Sequence, residues 1–188
     1  MDFKSDIKEY LAKLKVTIDL LSTDEINQVM NLLVDAYDTG KQVFIMGNGG
    51  SAATASHFVC DFNKGVSYGK NKRFKLICLN DNVSTMMAYA NDLAYESIFV
   101  EPLKNYFNSG DVVIGISGSG NSPNVLKAME YANAQCGITI GLTGYDGGKL
   151  KAVAKYGVHV PINDMQITED LHMVLDHLMM KVLHQRLE

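Results

Sequence analysis

The chain has 188 residues, 47% apolar and 20% charged, with 17 basic against 21 acidic residues for a formal charge of -4. That acidic balance gives no electrostatic reason to expect binding along a nucleic-acid backbone. A chain this long buries roughly 70% of its unfolded surface and needs no covalent staple. The three cysteines (Cys60, Cys78, Cys136) are too few and scattered for a disulfide framework.

The polar, mixed-charge start Met1-Asp2-Phe3-Lys4 does not read as a signal peptide, and no apolar stretch approaches a membrane span. The expectation is one cytoplasmic domain over residues 1–188, with neither membrane nor nucleic acid as partner. Residues 1–40 form N-terminal helices ahead of an α/β body over 41–188. In the first helix Ile7, Leu11, Leu14, Ile18 and Leu21 recur at three- and four-residue steps, which puts them on one face. Ser22, with Glu25 three residues on, predicts a capping box that opens a second helix. That helix carries Ile26, Val29, Met30, Leu33, Val34 and Tyr37 and stops near Gly40. Two striped helices outside the sheet rhythm offer more apolar face than one small sheet needs, so a second subunit is as good a partner for them as the sheet.

Beyond Gly40 come short continuous apolar runs: 43–46, 76–79, 112–116, 138–142 and 158–161. Runs without alternation predict strands buried on both faces, as in a parallel sheet, with helices between them. The segment from about Ile167 onward is again an amphipathic helix.

Ligands of such sheets sit beyond the carboxyl ends of the strands. Gly47-Asn48-Gly49-Gly50-Ser51 follows the first strand and Ser117-Gly118-Ser119-Gly120-Asn121-Ser122-Pro123 the third. Glycines admit a close backbone, hydroxyls donate, and Pro123 suits the first position of a helix. Two such loops on strands expected to be adjacent predict an uncharged phosphate cradle. No Lys follows in a Walker-type pattern, and no acidic residue stands about 20 positions on from the first loop, so neither nucleotide hydrolysis nor dinucleotide binding fits. A third loop, Thr143-Gly144-Tyr145-Asp146-Gly147-Gly148, follows the fourth strand. His57 and Asp61 share one helical face at i, i+4; Glu169 and His177, eight apart on the last helix, share another. His159 reads as structural and His184 as surface.

In this order, the loops at 47–51, 116–122 and 142–148, His57 with Asp61, Ala90-Asn91-Asp92, and a last helix with Glu169 and His177 resemble the phosphoheptose isomerase family of the sugar isomerase (SIS) domain superfamily. The resemblance spans nearly the whole chain. It implies a flavodoxin-like, doubly wound, five-stranded parallel sheet, with N-terminal helices that build a homotetramer. It also implies interconversion of sedoheptulose 7-phosphate and D-glycero-D-manno-heptose 7-phosphate through an enediol, and a setting in lipopolysaccharide or capsule heptose synthesis. By the same resemblance, Ser117, Gly118, Ser119 and Ser122 hold the phosphate. Asn48, Gly49, Gly50, Ser51, Asn91 and Asp92 line the sugar site. Asp61, Glu169 and His177 carry proton transfer, and zinc sits at the positions of His57, Asp61, Glu169 and His177.

This chain departs from the family pattern at four places. Asp61 replaces a usual Glu, Glu169 a usual Gln, Gln166 a usual acidic residue, and Gly118 a loop threonine. The base is therefore Asp61 or Glu169. A paralogue acting on a related sugar phosphate, or a non-catalytic adaptor of the replication-initiator-binding type, is the alternative.

Overall fold

The computed structural model describes residues 1–187. Helices α1 (Lys4–Asp19) and α2 (Thr23–Thr39) lead into β1 (Val43–Gly47), α3 (Gly50–Cys60) and a π-helical turn (Asp61–Val66). Then come β2 (Leu76–Cys78), α4 (Val83–Asp92), α5 (Val100–Tyr106), β3 (Val112–Ser117) and α6 (Pro123–Ala134). The chain finishes with β4 (Ile138–Thr143), α7 (Gly148–Val153), β5 (Tyr156–His159) and α8 (Met165–Arg186). All five strands pair in parallel in the order β2-β1-β3-β4-β5. That is the doubly wound flavodoxin-like order, with its switch point between β1 and β3.

Side chains of β1 alternate between two cores. Val43 and Ile45 join Leu33, Phe58, Phe62, Leu175 and Met179 from α2, α3, the π-helical turn and α8. Phe44 and Met46 join Phe99, Leu103, Val125 and Met129 on the opposite face. Both faces are covered, so the central strands β1 and β3 are buried at every residue. This is why they read as unbroken apolar runs rather than alternating ones.

Ser22 caps α2 as expected, its Oγ accepting from the Glu25 amide at 3.2 Å. The reciprocal half of the box does not form, because the Glu25 carboxylate accepts instead from the His159 amide at 3.0 Å and ties α2 to β5. Gly40 ends α2 in the left-handed conformation. The last strand lies two residues earlier than its apolar run suggests, over Tyr156–His159 rather than 158–161. Its second residue is glycine because Gly157 faces Gly141 so closely that a Cβ would stand 2.4 Å from the Gly141 carbonyl oxygen. That glycine makes the strand start look like a turn in sequence.

The stripe on α1 splits. Leu14 and Leu21 pack on Val160, Ile167 and Leu171. Ile7, Leu11 and Ile18 stay exposed, as do Val16 and Leu20. Polar contacts also tie the helix to the body: Tyr10 donates to Asp170 at 2.6 Å and Lys13 pairs with Asp164 at 2.6 Å. Among the described residues no helix is long and apolar enough to cross a membrane.

Candidate active site

The β1 and β3 loops open side by side at the switch point. Gly47 ends β1 where a Cβ would stand 2.7 Å from the backbone of Ser51, so only glycine permits the turn into α3. Asn80 pins that strand end through both Gly47 amide and carbonyl, at 3.2 and 2.8 Å. Asn48 follows, gripped from two sides. It exchanges two 2.9 Å hydrogen bonds with the side chain of Asn124, and accepts from the Tyr95 hydroxyl at 2.9 Å. Asn124 and Tyr95 are positioning residues that the sequence reading missed. The available signal was slight: an Asn directly after the Pro123 that opens α6.

The serine loop turns tightly after β3. Ser117 and Ser122 share a hydrogen bond at 3.0 Å, and Ser119 accepts from the Asn121 amide at 3.3 Å. Gly120 has a left-handed φ of 66° and a Cβ there would meet the Gly147 carbonyl at 2.0 Å. The third glycine-rich loop thus braces the serine loop instead of facing the ligand, and the Leu150 amide adds a 2.8 Å bond to the Gly120 carbonyl.

Between the loops lies a cavity of about 170 Å³ lined by Asn48, Ser51, Ser117, Gly118, Ser119, Ser122, Met165 and Glu169. Among the described residues none of its lining is lysine or arginine. Its anion-binding capacity comes from hydroxyls, backbone amides and the N-termini of α3 and α6. A larger cavity, about 670 Å³, lies at the β2 edge among Leu79, Asp81, Val83 and Tyr106. That edge stands away from the switch point between β1 and β3.

Among the described residues Glu169 is the one carboxylate lining the small cavity. It sits in the first turn and a half of α8, pressed over the start of α3: a Cβ on Gly50 would stand 2.2 Å from its Oε2. Glycine at 50 therefore makes room for this carboxylate, while Gly49 is open to solvent with nothing near its Cβ position.

Further along the same two helices is a second cluster. The Nε2 atoms of His57 and His177 are 3.0 Å apart. Asp61 lies 3.7 Å from the first and 3.9 Å from the second, through different oxygens. Asp61 begins the π-helical turn, a local widening absent from the sequence reading and of a kind frequent at functional sites. Asp176 completes the group: one donor atom from each of His57, Asp61, Asp176 and His177 lies within 4.8 Å of the others. Glu169, expected here from the family resemblance, is not in this group. It is two helical turns upstream of His177, and its carboxylate is turned to the serine-loop cavity instead.

Burial pushes the Asp176 carboxyl up to about 8, and the neighbouring Asp61 charge adds to this. One turn earlier, His172 is wholly buried, and the Thr143 backbone is the polar group that reaches its ring. Desolvation drives it down to about 4. His159 is lowered by burial and by Lys151, and pairs with the Thr143 hydroxyl at 3.1 Å, in keeping with a structural role. His184 is exposed and meets the Gly65 carbonyl at 2.9 Å. Asn91 and Asp92 are exposed at the end of α4, hydrogen-bonded to each other, and do not line the small cavity.

Two imidazoles and two carboxylates are a donor set that suits zinc, and the orphaned buried oxygens of Asp61 and Asp176 point to an electropositive partner. The residues present therefore fit the metal that the resemblance implies, with Asp176 in the place expected for Glu169.

Residues 2–144 match the SIS domain family. A phosphoheptose isomerase of Citrifermentans bemidjiense is 40% identical over 164 residues, covering 86% of this chain and 84% of the relative. The solved phosphoheptose isomerase of Neisseria gonorrhoeae superposes with a TM-score of 0.89 at 26% identity, covering 97% of this chain and 98% of that one. That of Francisella tularensis gives 0.89 at 25% identity, covering 98% and 100%. With a shared fold and this level of identity, the chain belongs to the SIS domain family and, within it, to the phosphoheptose isomerases.

Proposed function

We propose that the chain isomerises sedoheptulose 7-phosphate to a D-glycero-D-manno-heptose 7-phosphate in the cytoplasm, as a homotetramer, supplying heptose for lipopolysaccharide or capsule. One observation carries the reading: a serine loop built for an uncharged grip on phosphate and a single carboxylate, Glu169, open into the same cavity. Ser117, Ser119, Ser122 and the amides of the loop hold the phosphate. Asn48, fixed by Asn124 and Tyr95, and Ser51 orient the hydroxyls next to it.

Moving the carbonyl between C1 and C2 needs a base for a carbon-bound proton and an acid for the carbonyl oxygen. Glu169 is the better base of the two candidates. It is half-buried and faces the cavity, whereas Asp61 is engaged between two imidazoles. His177, exposed at the rim of the same helix, serves the oxygen side. A zinc ion bound at the His57–His177 cluster would occupy the His177 imidazole and would supply Lewis-acid polarisation of the carbonyl in its place. Asn91 and Asp92, exposed on one protomer, are left for a site completed by a neighbouring subunit. The exposed apolar residues of α1 fit that assembly. An adaptor has no need of a carboxylate aimed into a hydroxyl-lined cavity, so the catalytic reading is favoured.

The test is incubation with sedoheptulose 7-phosphate, with and without added zinc, followed by NMR. The aldose 7-phosphate should accumulate with the wild type and fall by at least a hundredfold in rate with Glu169→Gln. Wild-type protein that binds the ketose phosphate without turning it over would reject the reading.

A further inference from the structure

We propose that Asp176 is a direct ligand of a divalent cation held with His57, Asp61 and His177, and that Glu169 stays outside the coordination sphere. The inference rests on reading this region as a metal-assisted isomerase site, but it concerns the metal and not the turnover.

The starting observation is the Asp176 carboxylate. The residue is 0% exposed, and neither oxygen has a hydrogen-bond partner among the described residues. It pairs with no lysine or arginine; the group it feels most is another carboxylate, Asp61. A buried carboxylate without a partner is costly, and two within reach of one another are costlier. Such an arrangement persists where a cation offsets it. Asp61 repeats the pattern, with Oδ2 buried and lacking a hydrogen bond.

Geometry supports a single ion. A tetrahedral zinc site with bonds of about 2.0–2.2 Å has ligand-to-ligand edges of roughly 3.3–3.6 Å. The cluster shows 3.0 Å between the imidazoles and 3.7 and 3.9 Å from Asp61 to each. With Asp176 the four donor atoms lie within 4.8 Å of one another, so small rotamer shifts close the set. Two carboxylates neutralise a doubly charged ion, and two imidazoles favour zinc or cobalt over magnesium or calcium. His57 and His177 retain 42% and 55% side-chain exposure, which leaves the ion's outer side open to substrate.

Glu169 cannot share this position without leaving its own. Eight residues of helix separate it from His177, roughly 12 Å along the axis. Its carboxylate lies against Gly50 at the head of α3, two turns before His57. The division of labour follows: Asp176 balances the ion's charge, and Glu169 stays free for the proton.

The experiment uses full-length protein stripped by a chelator, then titrated with zinc chloride against a chromophoric competitor and with cobalt chloride for the visible spectrum. Wild type should take one zinc per chain, with a tetrahedral cobalt spectrum. Asp176→Asn should lose at least a hundredfold in zinc affinity and change the cobalt spectrum. Glu169→Gln should stay within threefold and keep the spectrum. Thermal unfolding separates ligation from a structural role. Metal-free Asp176→Asn should melt at or above metal-free wild type, because a buried carboxyl without a partner is gone, yet gain less on adding zinc. Wild-type affinity in Asp176→Asn, an equal loss in Glu169→Gln, or no zinc binding by wild type would each overturn the inference. Isomerase activity without zinc binding would remove this inference and leave the function standing. Zinc binding as expected without isomerase activity would do the reverse.

Discussion

The Nε2 atoms of His57 on α3 and His177 on α8 stand 3.0 Å apart, although 120 residues separate them in the chain. Two such nitrogens at this distance share either a proton or a cation. Both side chains are substantially exposed, so neither is needed to fill the core. His57→Ala should therefore leave the metal-free unfolding free energy within about 0.5 kcal/mol of wild type. Its zinc affinity should fall by more than a hundredfold in competition titration. Unchanged affinity would show that the pair shares only a proton.

Gly50 and Glu169 are coupled by space. An alanine Cβ at 50 would stand 2.2 Å from a Glu169 oxygen, and the flexible end of that side chain can move aside. Gly50→Ala should fold with an unchanged or slightly raised melting temperature, since alanine suits a helix better than glycine. It should lose at least tenfold in kcat as the carboxylate is displaced, because a shift of about 1 Å is enough to cost that much. Steady-state kinetics beside a thermal melt decides it, and full activity would remove Glu169 from the proton-transfer role.

His172 sets part of the acid limit of stability. Burial holds it near 4 in the folded state, below the ordinary histidine value of 6.5, with His159 the other ionisable ring facing it. The unfolded chain thus takes up this proton first as pH falls. The contribution is complete above about pH 6.5 and is lost progressively toward pH 4. His172→Leu should flatten the dependence of the melting temperature on pH between 6.5 and 4 without altering its slope above 7. An identical acid limb in both proteins would assign the limit to other groups.

On α1, Ile7, Leu11 and Ile18 are exposed at 56%, 48% and 41%. A stripe of this kind on a helix anchored by polar contacts fits burial against another copy. Ile7→Asp with Leu11→Asp should shift the species seen by light scattering from four chains toward fewer, with far-ultraviolet dichroism retained. A wild-type protein that scatters as a single chain would contradict the assembly.

Much of the fold was legible because buried parallel strands carry no alternation and end in glycine-rich loops, as at Val43–Gly47 and Val112–Ser117. The paired loops at 47–51 and 117–123 do lie on neighbouring strands, which is what made their combination more telling than either alone. Asp176 was not legible as part of the cluster. In sequence it is one carboxylate beside a histidine on an amphipathic helix, and only the crossing of α3 and α8 reveals that it faces inward. The π-helical turn that places Asp61 was hidden for a similar reason, since its residues continue an ordinary helical pattern. Glu25 shows the converse: its local capping role was outcompeted by a strand amide 134 residues away.

The central claim is that Glu169 moves a proton between neighbouring carbons of a phosphate-anchored sugar. Sedoheptulose 7-phosphate incubated with enzyme in deuterium oxide tests it most directly, because the proton held by the base exchanges with solvent during the lifetime of the enediol. Deuterium should enter the ketose at C1 and the aldose at C2 with wild-type enzyme, visible by NMR, and at a rate at least a hundredfold lower with Glu169→Gln. Deuterium entry at the wild-type rate in Glu169→Gln would contradict the account.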